Sequence, residues 1–325
     1  MPNLITHKIF AEEVLKRLHH EDIIQMIKDN EQLYYIGSNG PDPLFFYGAT
    51  PWNLFHDNLV SQIGNTLHCG HVNDFFRCGL DEILKQKKDD IKTRMSVYLF
   101  GHLCHWAIDS SAHPYVYYRT GDCTGMSLNY HHRFESVLDE TMLRTYRNCS
   151  IKEYHFPDIC LYNQEILQAI ARIYVPTVKK LFQSDIRVYD IRKALDGWRH
   201  AQEWLYDPHH YKIDAWLGYE MLRHQKWQMS GNIVPNQDEN DFDVLNLKKE
   251  VWKHPCDHEI ISNDSFPEIF EKAVRLAVKA IEVAYQYTLN EASLQALMDI
   301  LQDRAYDTGM AGFQEMKYFD IIFEK

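Results

Sequence analysis

Apolar positions recur at three- and four-residue intervals along most of this chain, the period of an α-helix with one buried face. Phe10, Val14, Leu15 and Leu18 form such a stripe behind Thr6, a residue suited to cap a helix start. Ser265 and Glu268 form a capping box ahead of Phe270, Val274, Ala277, Val278, Ile281 and Tyr285. The same period predicts helices at about 71–87, 93–111, 130–147, 162–183, 189–205, 209–227 and 292–307. Alternating patterns bounded by hairpin turns are missing, so the expected fold class is all-α, a single helical domain over residues 1–325. Two stretches break the period. Gly37-Ser38-Asn39-Gly40-Pro41-Asp42-Pro43 predicts a sharply shaped loop, because glycine tolerates positive φ and proline forbids helix. The segment from about 229 to 264 is too long for a plain connection and is expected to wrap the surface or edge a site.

Composition narrows the class. With 45% hydrophobic and 25% charged residues, the chain suits a soluble globular protein. A net charge of −12 makes nucleic acid an unfavourable partner, since binding that polymer rests on clustered Lys and Arg. No stretch has the roughly 18 unbroken apolar residues of a membrane span. The first residues lack the basic and apolar regions of a signal peptide, so a cytoplasmic location is expected. Seven cysteines without CxxC spacing suggest reduced, mostly buried thiols. The unusual number is 18 histidines, whose spacing decides what they mean.

His105-x3-Asp109-x3-His113 lies in the apolar run from Ser96 to Ile108 and just beyond it. Residues four apart on a helix share a face and lie about 6 Å apart along the axis, so three metal-type ligands form one rail. His131-x3-Glu135 repeats the geometry beside the apolar rail Phe134, Leu138 and Met142. Two such helices side by side aim five ligands into one space, as in metal sites built in bundle cores. Burying that many polar groups is costly unless metal or hydrogen bonds satisfy them. His102 reads as a packing or supporting histidine, and His132, His19-His20 and His209-His210 as surface or capping residues. His254-x-Cys256-x-His258 lacks a helical context, and His68 and His71 are weaker metal candidates. Asp42, before Pro43, reads by itself as a turn former.

The ordered series His7, Asp42, His56, His105-x3-Asp109, His113 and His131-x3-Glu135 resembles the zinc-dependent phospholipase C family, related in fold to P1-type nucleases. Its HxxxDxxxH spacing is similar to that of the catalytic domain of glycosylphosphatidylinositol-specific phospholipase D. The resemblance covers about residues 3–140 by motif and implies a multi-helix bundle with a metal cluster between helices. It implies that Asp42, His56 and His105 hold one metal and that Asp109 bridges it to a second held by His7 and the N-terminal residue. His113, His131 and Glu135 would hold a third. Secreted relatives place a processed N-terminal Trp there, whereas this chain begins with Met1, whose amino and carbonyl groups would serve. Zinc suits the mixed imidazole and carboxylate set, in two or three ions, and Mn or Fe can occupy such sites too.

The expected activity is therefore hydrolysis of a phosphodiester, on a small molecule or a phospholipid head group, by metal-activated water. Asp42 would orient or deprotonate that water. Phe45, Phe46, Tyr47 and Trp52, with Tyr115, Tyr117 and Tyr118, are candidate pocket walls. Two alternatives stand beside this reading: a P1-type nuclease or nucleotidase, and a metal-binding protein without turnover.

Overall fold

The computed structural model describes residues 4–50, 53–55, 57–236 and 242–324. Among these, twelve α-helices carry the architecture and the only sheet is a two-stranded hairpin, Trp252–Lys253 against Ile261–Ser262. In chain order the helices are α1 (Leu4–Leu15), α2 (Glu21–Asp29), α3 (Glu31–Gly37), α4 (Leu59–His68), α5 (Val72–Leu84) and α6 (Asp89–Thr120). They continue as α7 (Met126–Arg147), α8 (Gln164–Phe182), α9 (Val188–Leu205), α10 (Tyr211–Leu222), α11 (Phe266–Thr288) and α12 (Leu294–Leu301).

Helix α6 is the axis. Its 32 residues make a rod about 48 Å long at 1.5 Å per residue, and every residue from Met95 to Ser110 is buried. A helix apolar all round has no surface face, so it must be covered on every side. Helices α1, α3, α5, α7, α8 and α11 supply that cover. The helix also runs past the predicted end at 111 and through Pro114, continuing to Thr120. Proline removes one backbone donor, but Tyr115 and Val116 behind it are buried, and their packing holds the helix together.

Most predicted helices lie close to their expected bounds, and the Ser265–Glu268 capping box forms, with Ser265 N donating to Glu268 Oε2 at 2.8 Å. Three helices were not expected: α2, α3 and α4. The last is opened by an Asn58 side chain that accepts from Val60 N and Ser61 N. Thr6 departs from its expected role. It sits inside α1 rather than before it, and its hydroxyl donates to Asp139 Oδ1 at 2.6 Å.

The Gly/Pro loop is shaped as its sequence implies, and a crossing of backbones places it. A Cβ on Gly37 would lie 2.4 Å from the Tyr98 carbonyl oxygen, and one on Gly101 would lie 2.3 Å from that of Tyr34. Only the missing side chains let α3 and α6 touch here. Consequently the loop leaving α3 passes directly over the next turn of α6, where His105 stands. At Gly40, with φ of +48°, a Cβ would fall 2.2 Å from His105 Cδ2. The chain then forms the short 3₁₀ helix Asp42–Phe46, held between α4 and α9.

Candidate metal centre

Four elements converge on one buried space. Helix α6 offers His105, Asp109 and His113, α7 offers His131 and Glu135, α1 offers His7, and the loop after α3 offers Asp42; all seven are buried. The i, i+4 spacing aligns the helical ligands as expected, with His105 Nε2 at 3.1 Å from Asp109 Oδ2 and His131 Nε2 at 2.9 Å from Glu135 Oε1. Packing of α6 on α7 joins the two rails, bringing His113 Nε2 to 3.6 Å from Glu135 Oε1. His7 Nε2 reaches to 3.5 Å from Asp109 Oδ1, and its ring centroid lies 4.6 Å from that of His105.

A residue set aside as a weak candidate belongs to this cluster. His68, the last residue of α4, points its Nε2 to 3.0 Å from Asp42 Oδ1, and Asp42 Oδ1 in turn lies 3.6 Å from His105 Nε2. His56, expected at this place from its distance of fourteen residues after Asp42, lies outside the described residues, as do Met1 and Trp52. Nothing local marks His68, because its proximity to Asp42 depends on α4 folding back on the 3₁₀ helix. His71 does not join; it precedes α5 in the left-handed conformation and its ring packs edge-on to Phe182.

Three groups of donor atoms lie within 4.8 Å of one another: His7 with Asp42 and His105; His68 with His105 and Asp109; and His113 with His131 and Glu135. The donors fit metal rather than each other. Both ring nitrogens of His7 and His105, Nε2 of His68 and His113, Oδ1 of Asp42 and both oxygens of Asp109 are buried without a hydrogen-bond partner among the described residues. Each such orphan costs about 1–3 kcal/mol and charged ones more, so a cluster of them is untenable unless cations satisfy it. Imidazole and carboxylate in these proportions is a zinc-type donor set.

The electrostatics agree. Burial, reinforced by the surrounding histidines, pushes His7 down to about 3 and His105 well below the usual range, which keeps both rings neutral, the form that ligates. For Asp109, burial and then the Asp42 charge push the carboxyl well above its ordinary value. Burial acts the same way on Glu135 and is the largest single influence, yet the opposing interactions, His131 foremost with a hydrogen bond from His113 among them, together outweigh it and hold that carboxyl well below the ordinary value. This much uncompensated carboxylate and neutral imidazole in one space is what divalent cations would balance.

Supporting residues orient the ligands. His113 Nδ1 donates to the Tyr306 carbonyl at 2.8 Å and His68 Nδ1 to the Gly64 carbonyl at 2.9 Å, which turns each Nε2 toward the centre. Tyr306 also donates its backbone N–H to the His68 carbonyl and places its hydroxyl 2.9 Å from Nε2 of the buried His102. That agrees with a supporting role for His102. Asp139, one turn beyond Glu135, accepts from Ile5 N at 3.1 Å, Thr6 N at 2.8 Å and Thr6 Oγ1 at 2.6 Å. It thereby caps α1 from across the interface and fixes the register of His7. The rail His131-x3-Glu135 was legible in the sequence, whereas nothing there singled out Asp139 or Tyr306.

A cleft of about 470 Å³ opens onto the centre, with His68, His113 and His131 at its base. Phe45, Phe55, Tyr117 and Leu128 supply apolar wall, Asp57 and Asp307 supply charge, and no Lys or Arg among the described residues lines it. Of the aromatics predicted as walls, Phe45 and Tyr117 serve. Phe46 is core, Tyr47 donates to Asp190, Tyr115 packs against Phe134 and Trp252, and Tyr118 flanks Arg119. His132 is no surface residue: its ring stacks on Phe55 at 5.6 Å and lines the cleft. The seven thiols are free, but only Cys78, Cys104 and Cys160 are buried, and Cys69 and Cys123 face the cleft. No helix among the described residues is long and apolar enough to cross a membrane.

A family model described as zinc dependent phospholipase C matches residues 6–184, more than half of the chain and a span that contains every described candidate ligand. No curated protein and no solved structure matches the chain.

Proposed function

We propose, from the premise that this chain belongs to the zinc-dependent phospholipase C family, that it hydrolyses a phosphodiester in the cleft above the cluster. The observation that carries the reading is the set of buried, unpartnered nitrogen and oxygen donors converging from α1, α4, α6 and the loop at Asp42. His7, Asp42, His68, His105 and Asp109 would hold one or two ions, and His113, His131 and Glu135 another. When bound, divalent cations supply Lewis acidity, neutralising phosphoryl oxygens and lowering the pKa of water.

The chain's own residues do the rest. Asp42 directs Oδ1 toward His68 and His105, leaving its second carboxylate oxygen to accept a proton from the attacking water. Phe45, Phe55 and Tyr117 exclude water from one side of the cleft and take the apolar part of the substrate. Asp57 and Asp307, with no Lys or Arg among the described residues of the lining, disfavour a polyanion, so nucleic acid fits this cleft poorly.

The test is Asp42→Asn, with metal content and kcat measured on one preparation against phosphatidylcholine, phosphatidylinositol, a chromogenic phosphodiester and single-stranded DNA. Native protein is expected to carry two or three ions and to turn over a phosphodiester. The variant should keep the fold and most of the metal while losing about 10²–10⁴ in kcat. Near-normal kcat returns Asp42 to a turn-forming role, and metal and activity lost in step make it a ligand only.

A further inference from the structure

A groove of about 430 Å³ adjoins the reaction cleft and shares Phe55, Leu128 and His132 with it. Three segments wall it: the stretch from Asn53 to Phe55, the first turns of α7, and the chain that follows α10. The rings of Phe55 and His132, stacked at 5.6 Å, are common to both spaces. His132 is also the residue after His131, so the groove begins one position along α7 from the candidate metal centre. Its volume lies within the roughly 300–1,000 Å³ of small-molecule sites.

The groove differs from the cleft in the chemistry of its lining. Five carboxamides line it, those of Asn53, Asn129, Gln225, Gln228 and Asn232, and no Asp, Glu, Lys or Arg among the described residues does. A carboxamide both donates and accepts hydrogen bonds, whereas a carboxylate only accepts and an ammonium only donates. Charged residues close by in the chain are engaged elsewhere. Asp122 accepts from Thr124 N, Thr124 Oγ1 and Ser127 Oγ, and Lys226 and Arg133 lie over the Trp227 ring at 4.0 and 5.8 Å. Asp57 belongs to the cleft, where Gln62 Nε2 donates to it at 2.8 Å, and Arg223 lines neither space.

The backbone of this wall is held in place by the fold. The buried Glu220 of α10 accepts from Trp227 N, Met229 N, Ser230 N and Ser230 Oγ, which fixes the turn that carries Gln228. Asn129 Nδ2 donates to the Lys226 carbonyl at 3.1 Å and Ser136 Oγ to the Gly231 carbonyl at 2.7 Å, which tie the same turn to α7. The side chains of Gln225 and Gln228, by contrast, make no hydrogen bond among the described residues, so their donors and acceptors are left for a ligand. A fixed backbone with unspent carboxamides lowers the ordering cost of binding. Phe55, 39% exposed, adds an aromatic face whose negative charge suits the C–H side of a ring. Hydroxyl groups, which donate and accept alike, match such a lining better than any ion does.

We propose that the groove is a subsite for a neutral polyol or sugar ring, one alcohol of a phosphodiester whose phosphate lies over the metal centre. The inference rests on the phosphodiester reading for the reaction, but the chemistry of the groove stands apart from it. A cationic alcohol would go to Asp57 and Asp307 in the cleft, and an anionic one meets no Lys or Arg among the described residues of either lining. The test compares kcat/KM of the metal-loaded full chain on phosphatidylinositol and phosphatidylcholine, with matched acyl chains in the same detergent micelles. Native protein should prefer phosphatidylinositol by about tenfold or more. The double variant Gln225→Leu, Gln228→Leu should lose about tenfold of that preference, the equivalent of two neutral hydrogen bonds. Neither side chain is bonded within the fold, so circular dichroism and melting temperature should be native. Titration with myo-inositol, followed by the backbone amide resonances of Leu128 and Asn232, should saturate in native protein and need about tenfold more polyol in the variant.

An equal preference in native protein and double variant overturns the proposal, as does myo-inositol that leaves both resonances unmoved. A native preference for phosphatidylcholine that Asp307→Asn abolishes overturns it too, by assigning the alcohol to the acidic cleft. Inositol binding that depends on the two glutamines, in protein that turns over no phosphodiester, upholds the subsite and sinks the enzymatic reading. Turnover of phosphodiesters without preference for a polyol does the reverse.

Discussion

Removing the Asp139 side chain should loosen the N-terminal end of α1 and with it the hold on His7. The carboxylate is wholly buried and satisfies three donors, Ile5 N, Thr6 N and Thr6 Oγ1, none of which has water to turn to. At about 1–3 kcal/mol per buried donor left unmet, and allowing for relief of burying a carboxyl, Asp139→Ala should cost roughly 3–6 kcal/mol. Asp139→Asn keeps one accepting oxygen for Thr6 but turns an amide N–H₂ toward Ile5 N, so roughly 1–3 kcal/mol is expected. Burial pushes the Asp139 carboxyl up to about 7, so between the ordinary carboxylate range and neutrality the folded chain holds a proton that the unfolded chain has released. Stability on this residue's account therefore falls as pH rises through that window, and the gap between native and Asn proteins should narrow from pH 5 to pH 8. Denaturant unfolding of chelator-treated protein at both pH values measures this, with metal content of the untreated variants measured beside it. A metal-free Asp139→Ala protein as stable as the native one would refute the capping argument. Reduced stability with full metal content would show that α1 keeps His7 in place without the cap.

The remaining predictions concern the ligand set and its packing. His68→Ala should lower metal content and remove much of the stabilisation that added zinc provides, since an ion bound only to the native state stabilises it by mass action; unchanged values would make His68 a cleft wall and no ligand. Gly40→Ala should destabilise by more than about 1 kcal/mol and impair metal retention, because the new Cβ meets His105 Cδ2 at 2.2 Å in a left-handed backbone. A melting temperature and metal content equal to native would show that the loop can move away from α6.

Much of the fold was readable because helical periodicity is local. The stripes at 71–87 and 189–205 and the capping box at Ser265 predicted α5, α9 and α11 to within a few residues. The rails His105-x3-Asp109-x3-His113 and His131-x3-Glu135 were readable for the same reason, since i, i+4 spacing fixes a shared face whatever the rest of the chain does. The short helices α2, α3 and α4 were not. Seven to ten residues carry too few turns for a period to stand out, and packing rather than propensity stabilises them.

What joined the rails into a site was tertiary. His68 meets Asp42 only because α4 folds back on the 3₁₀ helix, and Asp42 meets His105 only because Gly37 and Gly101 let two helices touch. Tyr306 reaches the ligands from nearly 200 residues along the chain, through a backbone carbonyl that any residue could offer. Asp139 likewise caps a helix more than 130 residues away, and the Thr6 read as a local cap spends its hydroxyl on that distant carboxylate. Local rules see neighbours in sequence. Orphan donors buried by packing take whatever partner the fold brings within reach, and that choice is made only when the helices are in place.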